Sequence, residues 1–407
     1  MTEGPWEEFV AEASRRPVCG YFERGDAPGL GRRWAGWFTT ADEVLRLSRP
    51  APPRRLDQWT GRWLSAHPDG AVVGYVGFDA YSLWEPLVAG RRGPFPLGEV
   101  AAVPTFHQAR IAGGHRRPVG PPGGDGGPEG QVPSADETLP GPRLRRAVGR
   151  LRRAIAAGEA FQVVVSSRRR FVVPEDLLAR AGALRARERF AYFYCLKFAD
   201  RTIVGASPES VIEIEGDRAA IHPIAGTRPI GPAGARRRLL ERDPKELAEH
   251  RMLVDLARND LGRIARPGTV RVRWRERTVR FARLDHLISR VDARLRPEVG
   301  PWSALAAAFP AGTVSGAPKI RATALLRREE RTWRGPYGGA VGCLRPGGRA
   351  AWALAIRTAF ARGRSLYTAA GAGIVWGSRP AREETEIRTK RERLERTLVG
   401  RPPCASS

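Results

Sequence analysis

FAYFYCLKFADRTIVGASPESVIEIEGDRAAIHPI, residues 190–224, is the stretch that decides the fold. It breaks into four short runs rich in β-branched and aromatic residues, FAYFYCLKF, RTIVGAS, SVIEIEG and RAAIHPI, with turn signals between them. Strands joined so closely arrive as hairpins. Around them the period changes. LRRAVGRLRRAIAAG (144–158) reads as an amphipathic helix closed by Gly158. FQVVVSSRRRFVV (161–173) reads as a strand, and residues 174 to about 187 as a helix. Downstream, helices are expected from 244 to about 264, from 301 to 308 and from 380 to about 398. GGAVGCL, AWALAIRTAF and SLYTAAGAGIV are further strands. Hairpins in groups with helices between the groups predict an α+β fold rather than a doubly wound one.

Two Glu-x-x-Glu pairs stand out in a chain whose formal net charge is +26: Glu246/Glu249 and Glu383/Glu386. Spacing of i, i+3 puts both carboxylates of a pair on one helix face. Four carboxylates converging on one place would suit a hard divalent cation such as magnesium. Each pair also has a plain structural reading. D-P-K-E at 243–246 has the form of an N-cap, an N1 proline and a capping-box glutamate, and Glu386 stands four residues before Lys390.

Of the 69 basic residues only Lys197, Lys245, Lys319 and Lys390 are lysine. That skew reads as compositional bias. The arginines are scattered, and no zinc finger, RNA-stacking aromatic motif or helix-turn-helix accompanies them, so a specific nucleic-acid partner is not expected. Cys19, Cys195, Cys343 and Cys404 have no paired spacing, which argues against a disulfide framework or a zinc site and fits a cytoplasmic protein. No apolar run approaches a membrane span, and the first residues lack a signal-peptide pattern. GGHRRPVGPPGGDGGPEG (113–130) divides the chain. The expected organisation is an N-terminal region at 1–111, a flexible Gly/Pro-rich segment at 112–141, a catalytic domain at 142–400 and a tail at 401–407.

Three segments are too particular for filler. PIAGTRPIG (223–231) places Gly226 and Thr227 at an expected strand end, where a backbone amide and a hydroxyl can meet a carboxylate. FPAGTVSGAPKIRA (309–322) offers Gly312 and Thr313 ahead of a helix N-terminus, a place that favours anions. AGAGIVWGS (370–378) opens on a strand with two glycines, Gly371 and Gly373, a sign of close approach. With GEAFQVVVS, VGASPES, DPKELAEHRMLVDLARNDLGRIARPGTV, HLISRV, GPYGGAVG, AIRTA and AGAGIVWGSRPAREETE, in this order, they resemble the chorismate-utilising enzymes, specifically the large subunit (component I) of anthranilate synthase and its relatives. The resemblance covers about residues 142–400 and implies two packed antiparallel sheets surrounded by helices, with the active site between them.

The resemblance also implies roles. Glu249 and Glu386 would ligate magnesium directly, with Glu246 and Glu383 supporting them through water. Gly226, Thr227 and Gly373 would surround the metal-held ring carboxylate of chorismate. Tyr337 and Arg357 would grip the enolpyruvyl carboxylate, Gly371 and Ala372 would supply amides, and Lys390 a further positive charge. Thr313 and His286 would line the ring, with His286 and Glu246 as candidate base and acid. Gln162 stands where water-adding relatives have an activating lysine, and Ala225 where many 4-amino-4-deoxychorismate synthases have a nucleophilic lysine. The pattern implies amination by ammonia to 2-amino-2-deoxyisochorismate, followed by pyruvate elimination to anthranilate. The alternatives are a 4-amino-4-deoxychorismate synthase component I or a non-catalytic basic binding subunit. No cysteine has the glycine-flanked elbow of a glutaminase nucleophile, so ammonia is expected from a separate glutamine amidotransferase subunit; oligomeric state is left open. The chain departs from the family at Ile230, Asp285, Ala351, Trp352, Ile387 and Thr389, and in its N-terminal tryptophan-sensing blocks, so tryptophan feedback is not expected.

Overall fold

The computed structural model describes residues 4–13, 15–25, 33–47, 52–88, 93–110, 136–188, 190–229, 241–281 and 284–400. The strands are β1 (Val18–Arg24), β2 (Trp34–Phe38), β3 (Glu43–Leu47), β4 (Ala71–Val76), β5 (Gly98–Val103), β6 (His107–Arg110), β7 (Gln162–Val172), β8 (Tyr192–Phe198), β9 (Arg201–Ser207) and β10 (Ser210–Glu215). They continue with β11 (Arg218–Ile221), β12 (Ile224–Pro229), β13 (Arg271–Phe281), β14 (Leu284–Arg294), β15 (Gly316–Ala317), β16 (Ala340–Arg345), β17 (Arg349–Leu354), β18 (Thr358–Arg362) and β19 (Ser365–Ile374). The helices are α1 (Pro5–Ala13), α2 (Pro53–Ala66), α3 (Tyr81–Trp84), α4 (Gly141–Ala156), α5 (Leu177–Arg187), α6 (Pro244–Gly262), α7 (Pro301–Ala308), α8 (Gly312–Ser315), α9 (Lys319–Glu330) and α10 (Pro380–Leu398).

Two sheets form, in the orders β15-β7-β19-β18-β9-β8-β1-β2-β6 and β12-β14-β11-β10-β17-β16-β4-β5-β3, with β13 paired to β14 beside the second. Their pairings are antiparallel. The hairpins expected within 190–224 are β8–β9 and β10–β11, and each hairpin belongs to a different sheet. The N-terminal strands do not stand apart. β1, β2 and β6 extend the first sheet and β3, β4 and β5 the second. Most of the expected flexible segment, and the expected tail, lie outside the described residues. No helix among the described residues is long and apolar enough to cross a membrane.

Prolines set several helix starts. Pro53, Pro142, Pro301 and Pro380 occupy first-turn positions, where the missing N–H is not needed. At α6 the D-P-K-E reading holds in part: the Asp243 carboxylate accepts from the Glu246 N–H at 3.3 Å. The N-terminus of α7 is capped from far away. Asp57 on α2 accepts from the backbone N–H groups of Trp302 (2.7 Å) and Ser303 (3.2 Å), and the Trp302 indole donates to Thr60 at 2.8 Å. Trp302 and Trp352 then meet edge to face at 5.1 Å inside the largest apolar cluster.

Lys319, one of the few lysines in the chain, stands where a compact ammonium is needed. It is buried at the start of α9. Its Nζ donates to both Asp260 oxygens on α6 (2.9 Å each) and to the Ala308 carbonyl on α7 (3.1 Å). Its part is to join three helices. Lys319→Met leaves Asp260 buried without its cation and is expected to cost about 3–5 kcal/mol, read as a lowered denaturation midpoint by circular dichroism. A loss below about 1 kcal/mol, the range of exposed pairs, would show that the pair does not hold these helices.

Candidate active site

β7 and β19 run side by side in the first sheet, with Gly373 opposite Val164 and Gly371 opposite Ser166. The glycines of AGAG are required by close approach. A Cβ on Gly371 would stand 2.9 Å from the Tyr337 hydroxyl, and one on Gly373 would stand 2.5 Å from the Gln162 amide nitrogen. Two candidate ligands reach this strip from two helices. From α6, Glu249 accepts a hydrogen bond from Gln162 Nε2 at 2.9 Å. From α10, Glu386 pairs with Lys390 at 2.7 Å, and Lys390 Nζ donates to the Gly371 carbonyl at 3.2 Å. Glu383 lies buried one turn earlier on α10, and Glu246 one turn earlier on α6. The structure therefore brings Glu249, Gln162, Gly371, Gly373, Tyr337, Lys390 and Glu386 to one strip. It does not gather three carboxylate, histidine or cysteine groups into a metal cluster among the described residues.

The second sheet supplies the other wall. Gly226 was expected at a strand end but lies inside β12, at a bulge between Ala225 and Thr227 where it takes φ +63°. The bulge turns the Gly226 carbonyl toward His286 on β14, and His286 Nδ1 bonds to it at 3.1 Å. A carbonyl only accepts, so Nδ1 carries the proton and Nε2 the lone pair. Burial, then the positive charge of Arg357, hold the His286 pKa down at about 4. The Asp285 carboxylate pulls the other way but less, in keeping with adjacent strand residues facing opposite sides. Arg357 itself takes φ +49°, a conformation that L side chains rarely adopt, which places strain at the position expected to grip a carboxylate. Thr227 pairs with His286 across β12–β14.

Thr313 on α8 reveals the residue that the sequence reading missed. Its hydroxyl donates to Glu209 at 2.8 Å. Glu209 is buried, and that burial pushes its pKa up to about 8, outweighing the Thr313 hydrogen bond. It is therefore a neutral carboxylic acid at pH 7. A small cavity opens beside it, lined also by His222, Leu253, Ala308 and Thr313. The motif VGASPES contained the residue, but nothing local in it announces burial. The cysteines take no part. Cys19, Cys195 and Cys343 lie buried, and burial raises each thiol, Cys19 to about 11 and Cys343 to about 12.

Residues 121–396 match the family model of the chorismate binding enzymes. This chain belongs to that family. It is 36% identical over 373 residues to the anthranilate synthase component 1 of Pseudomonas putida, covering 81% of this chain and 75% of that one. It is 46% identical over 246 residues to the corresponding protein of Mycolicibacterium smegmatis, covering 58% of this chain and 47% of the relative, so that match spans about half of the relative's length. The crystal structure of anthranilate synthase component I from Streptococcus pneumoniae superposes with a TM-score of 0.75 at 28% identity, covering 91% of this chain and 93% of that one. The two antiparallel sheets with surrounding helices expected of a chorismate binding enzyme are the fold observed.

Glu209 makes stability depend on pH. The folded chain keeps a proton that the unfolded chain releases near its ordinary value of 4.5. Stability present below 4.5 is therefore lost as pH rises toward about 8. Glu209→Gln, neutral throughout, is expected to remove that contribution. The measurement is the difference between wild-type and variant denaturation midpoints at about pH 5 and about pH 8. A difference that does not change with pH would show that Glu209 is ionised in the folded chain.

Proposed function

We propose that this chain aminates chorismate with ammonia to 2-amino-2-deoxyisochorismate and then eliminates pyruvate to give anthranilate. The carrying observation is the contrast between two side chains. Glu209 is a buried neutral acid held by Thr313, whereas Gln162, where water-adding relatives have a lysine, is a neutral amide bonded to Glu249. An amide cannot activate water. Ammonia needs no such base, because its nitrogen already carries the lone pair.

In the first step the ammonia nitrogen bonds to ring carbon 2, both ring double bonds shift by one position, and the C4–O bond breaks. The departing hydroxyl takes the Glu209 proton and leaves as water, and the new ammonium group gives up a proton that restores the Glu209 acid. In the second step a base removes the proton from carbon 2 and the C3–O bond to the enolpyruvyl group breaks. The ring becomes aromatic and pyruvate leaves. His286 is the base of this reading, since it presents a neutral imidazole with its lone pair on Nε2. A substrate carboxylate facing Arg357 offsets the charge that helps to hold His286 near 4, which strengthens the base when substrate is bound. Tyr337 and Arg357 orient the enolpyruvyl carboxylate, and the Gly371 and Ala372 backbone lines the same strip. Thr227 stands opposite His286 for the ring carboxylate.

The donor set fits magnesium: hard carboxylate oxygens from two helices, with no sulfur among them. Glu249 and Glu386 would hold the ion directly and Glu246 and Glu383 through water. Bound there, it would supply positive charge for the ring carboxylate. Ammonia would come from a separate glutamine amidotransferase subunit.

The purified chain incubated with chorismate, ammonium and magnesium, with products identified by mass spectrometry, is expected to consume chorismate and to stop in EDTA. Glu249→Ala and Glu386→Ala should abolish turnover while leaving circular dichroism unchanged. Glu209→Gln should slow consumption about 10²–10⁴-fold, as for loss of a general acid. His286→Met should slow anthranilate release more than chorismate consumption, so that 2-amino-2-deoxyisochorismate accumulates. Wild-type rates in EDTA, or equal loss of both steps in His286→Met, would refute the corresponding role.

A further inference from the structure

Two consecutive side chains of α6 reach different sheets. Glu249 accepts from Gln162, at the start of β7 in the first sheet, at 2.9 Å. His250 reaches Ser289 on β14 in the second, with its Nε2 2.6 Å from the hydroxyl oxygen. His250 is 0% exposed, and its Nδ1 has no hydrogen-bond partner among the described residues, so Ser289 alone directs the ring. Nearby side chains toward the start of the helix are less enclosed: Glu246, Leu247 and Glu249 are half-buried and Ala248 is exposed. The apolar anchors of α6, Leu253, Val254, Ala257 and Leu261, come later. The part of the helix that carries Glu246 and Glu249 is thus fastened by a hydrogen bond, where the later part is fastened by apolar packing. Ser289 is itself fixed. Its N–H donates to the Pro223 carbonyl at 3.1 Å, and its hydroxyl oxygen accepts from the Glu276 N–H at 2.9 Å. Glu276 takes φ +55° where the β13–β14 register is irregular, a costly conformation for a residue with a side chain, at the point where its N–H meets Ser289.

We propose that His250 is a positioning residue for the metal site: its bond to Ser289 sets the rotation of α6 and so the direction of Glu249. The proposal rests on the reading of Glu249 as a metal ligand. Successive residues of an α-helix are turned by about 100° from one another. With His250 held against β14, Glu249 is left facing β7, where Gln162 meets it. A turn of the helix by only about 20° would carry a side-chain tip about 2 Å sideways, as far as a whole magnesium–oxygen bond. The neighbouring Arg251 is also tied to this place, since it pairs with the Glu276 carboxylate at 2.7 Å. That arginine side chain is 58% exposed, and an exposed pair does little to hold a helix. The buried bond from His250 is the one that fixes the angle.

Magnesium binding to the full chain would be measured by isothermal titration calorimetry, and the magnesium dependence of chorismate consumption alongside it. His250→Ala and Ser289→Ala are each expected to weaken magnesium binding at least about tenfold, as for loss of a group that orients a metal ligand. Each should raise the magnesium concentration for half-maximal rate by a similar factor and lower the rate at saturating magnesium by less. The double variant should bind no more weakly than the worse single one, because the two side chains act as one unit. His250→Gln, whose amide nitrogen can donate to Ser289, should keep the affinity within about threefold. Arg251→Ala should do the same. Unchanged affinity in Ser289→Ala and His250→Ala overturns the positioning role and leaves the metal reading standing. So does an equal loss in Arg251→Ala, which would mean that any loosening of α6 suffices. Should His250→Ala not fold, Ser289→Ala, which removes one oxygen atom, decides together with His250→Gln. A wild-type chain that binds no magnesium overturns the metal reading itself, and the positioning role with it.

Discussion

The Arg334 guanidinium is buried, and three segments of the chain are tied to it. Glu330, one helical turn earlier, takes its charge at 2.6 Å. Its remaining N–H groups donate to the carbonyls of Val314 on α8 (2.6 Å) and Val164 on β7 (2.7 Å). Glu330 also accepts from the N–H and hydroxyl of Ser166 on β7. Asp79 accepts from the backbone N–H groups of Arg334 and Gly335, which fixes the start of the GPYGG loop that carries Tyr337. A buried ion pair is tolerated only when its lone pairs and protons are met, and here they are met by backbone from β7, α8 and the Tyr337 loop. One electrostatic requirement thus sets the relative positions of Thr313, Gln162 and Tyr337. It also explains why a strand from the first sheet and a loop entering the second stay in register across the site.

The same residue type meets different surroundings at the candidate site. Glu249 receives a hydrogen bond from Gln162, and Glu386 pairs with the Lys390 ammonium. Glu209 accepts from the Thr313 hydroxyl and is buried, and burial pushes its pKa up to about 8. Surroundings therefore divide the glutamates, and burial makes Glu209 the one that holds a proton. His286 completes the division. Burial beside Arg357 keeps it neutral, so that it can accept a proton that a charged imidazolium could not.

The positive balance of the chain has a structural side as well as a surface one. Many arginines are committed inside. Arg201 binds Glu99 through two nitrogens, Arg391 reaches Glu137, and Arg168 stacks 3.6 Å over the Trp333 ring. The planar fork suits these places, where it meets a carboxylate edge or an aromatic face. Lys319, by contrast, sits where three acceptors surround a point, and a compact ammonium fits that shape.

The sequence by itself determined the hairpins, the helix starts at Pro244, Pro301 and Pro380, and the glycines of AGAG. These depend on local chemistry: side-chain alternation, a fixed proline φ and the absence of a Cβ. It also pointed to His286, Lys390 and the four glutamates through their place in motifs. Only the tertiary structure decided the rest. Glu209 was quoted within VGASPES without a role, because its proton is retained through burial, which depends on what the folded chain packs around it. The need for Lys319 came from Asp260 and Ala308, which the chain brings to it from α6 and α7. Gly226 moved from a strand end to a bulge because β14 pairs past it on both sides. The N-terminal strands joined both sheets, since edge strands left unpaired by the later sequence still had backbone groups to satisfy. Burial and charge pairing are properties of what surrounds a residue, and the surroundings are assembled from segments far apart in the chain.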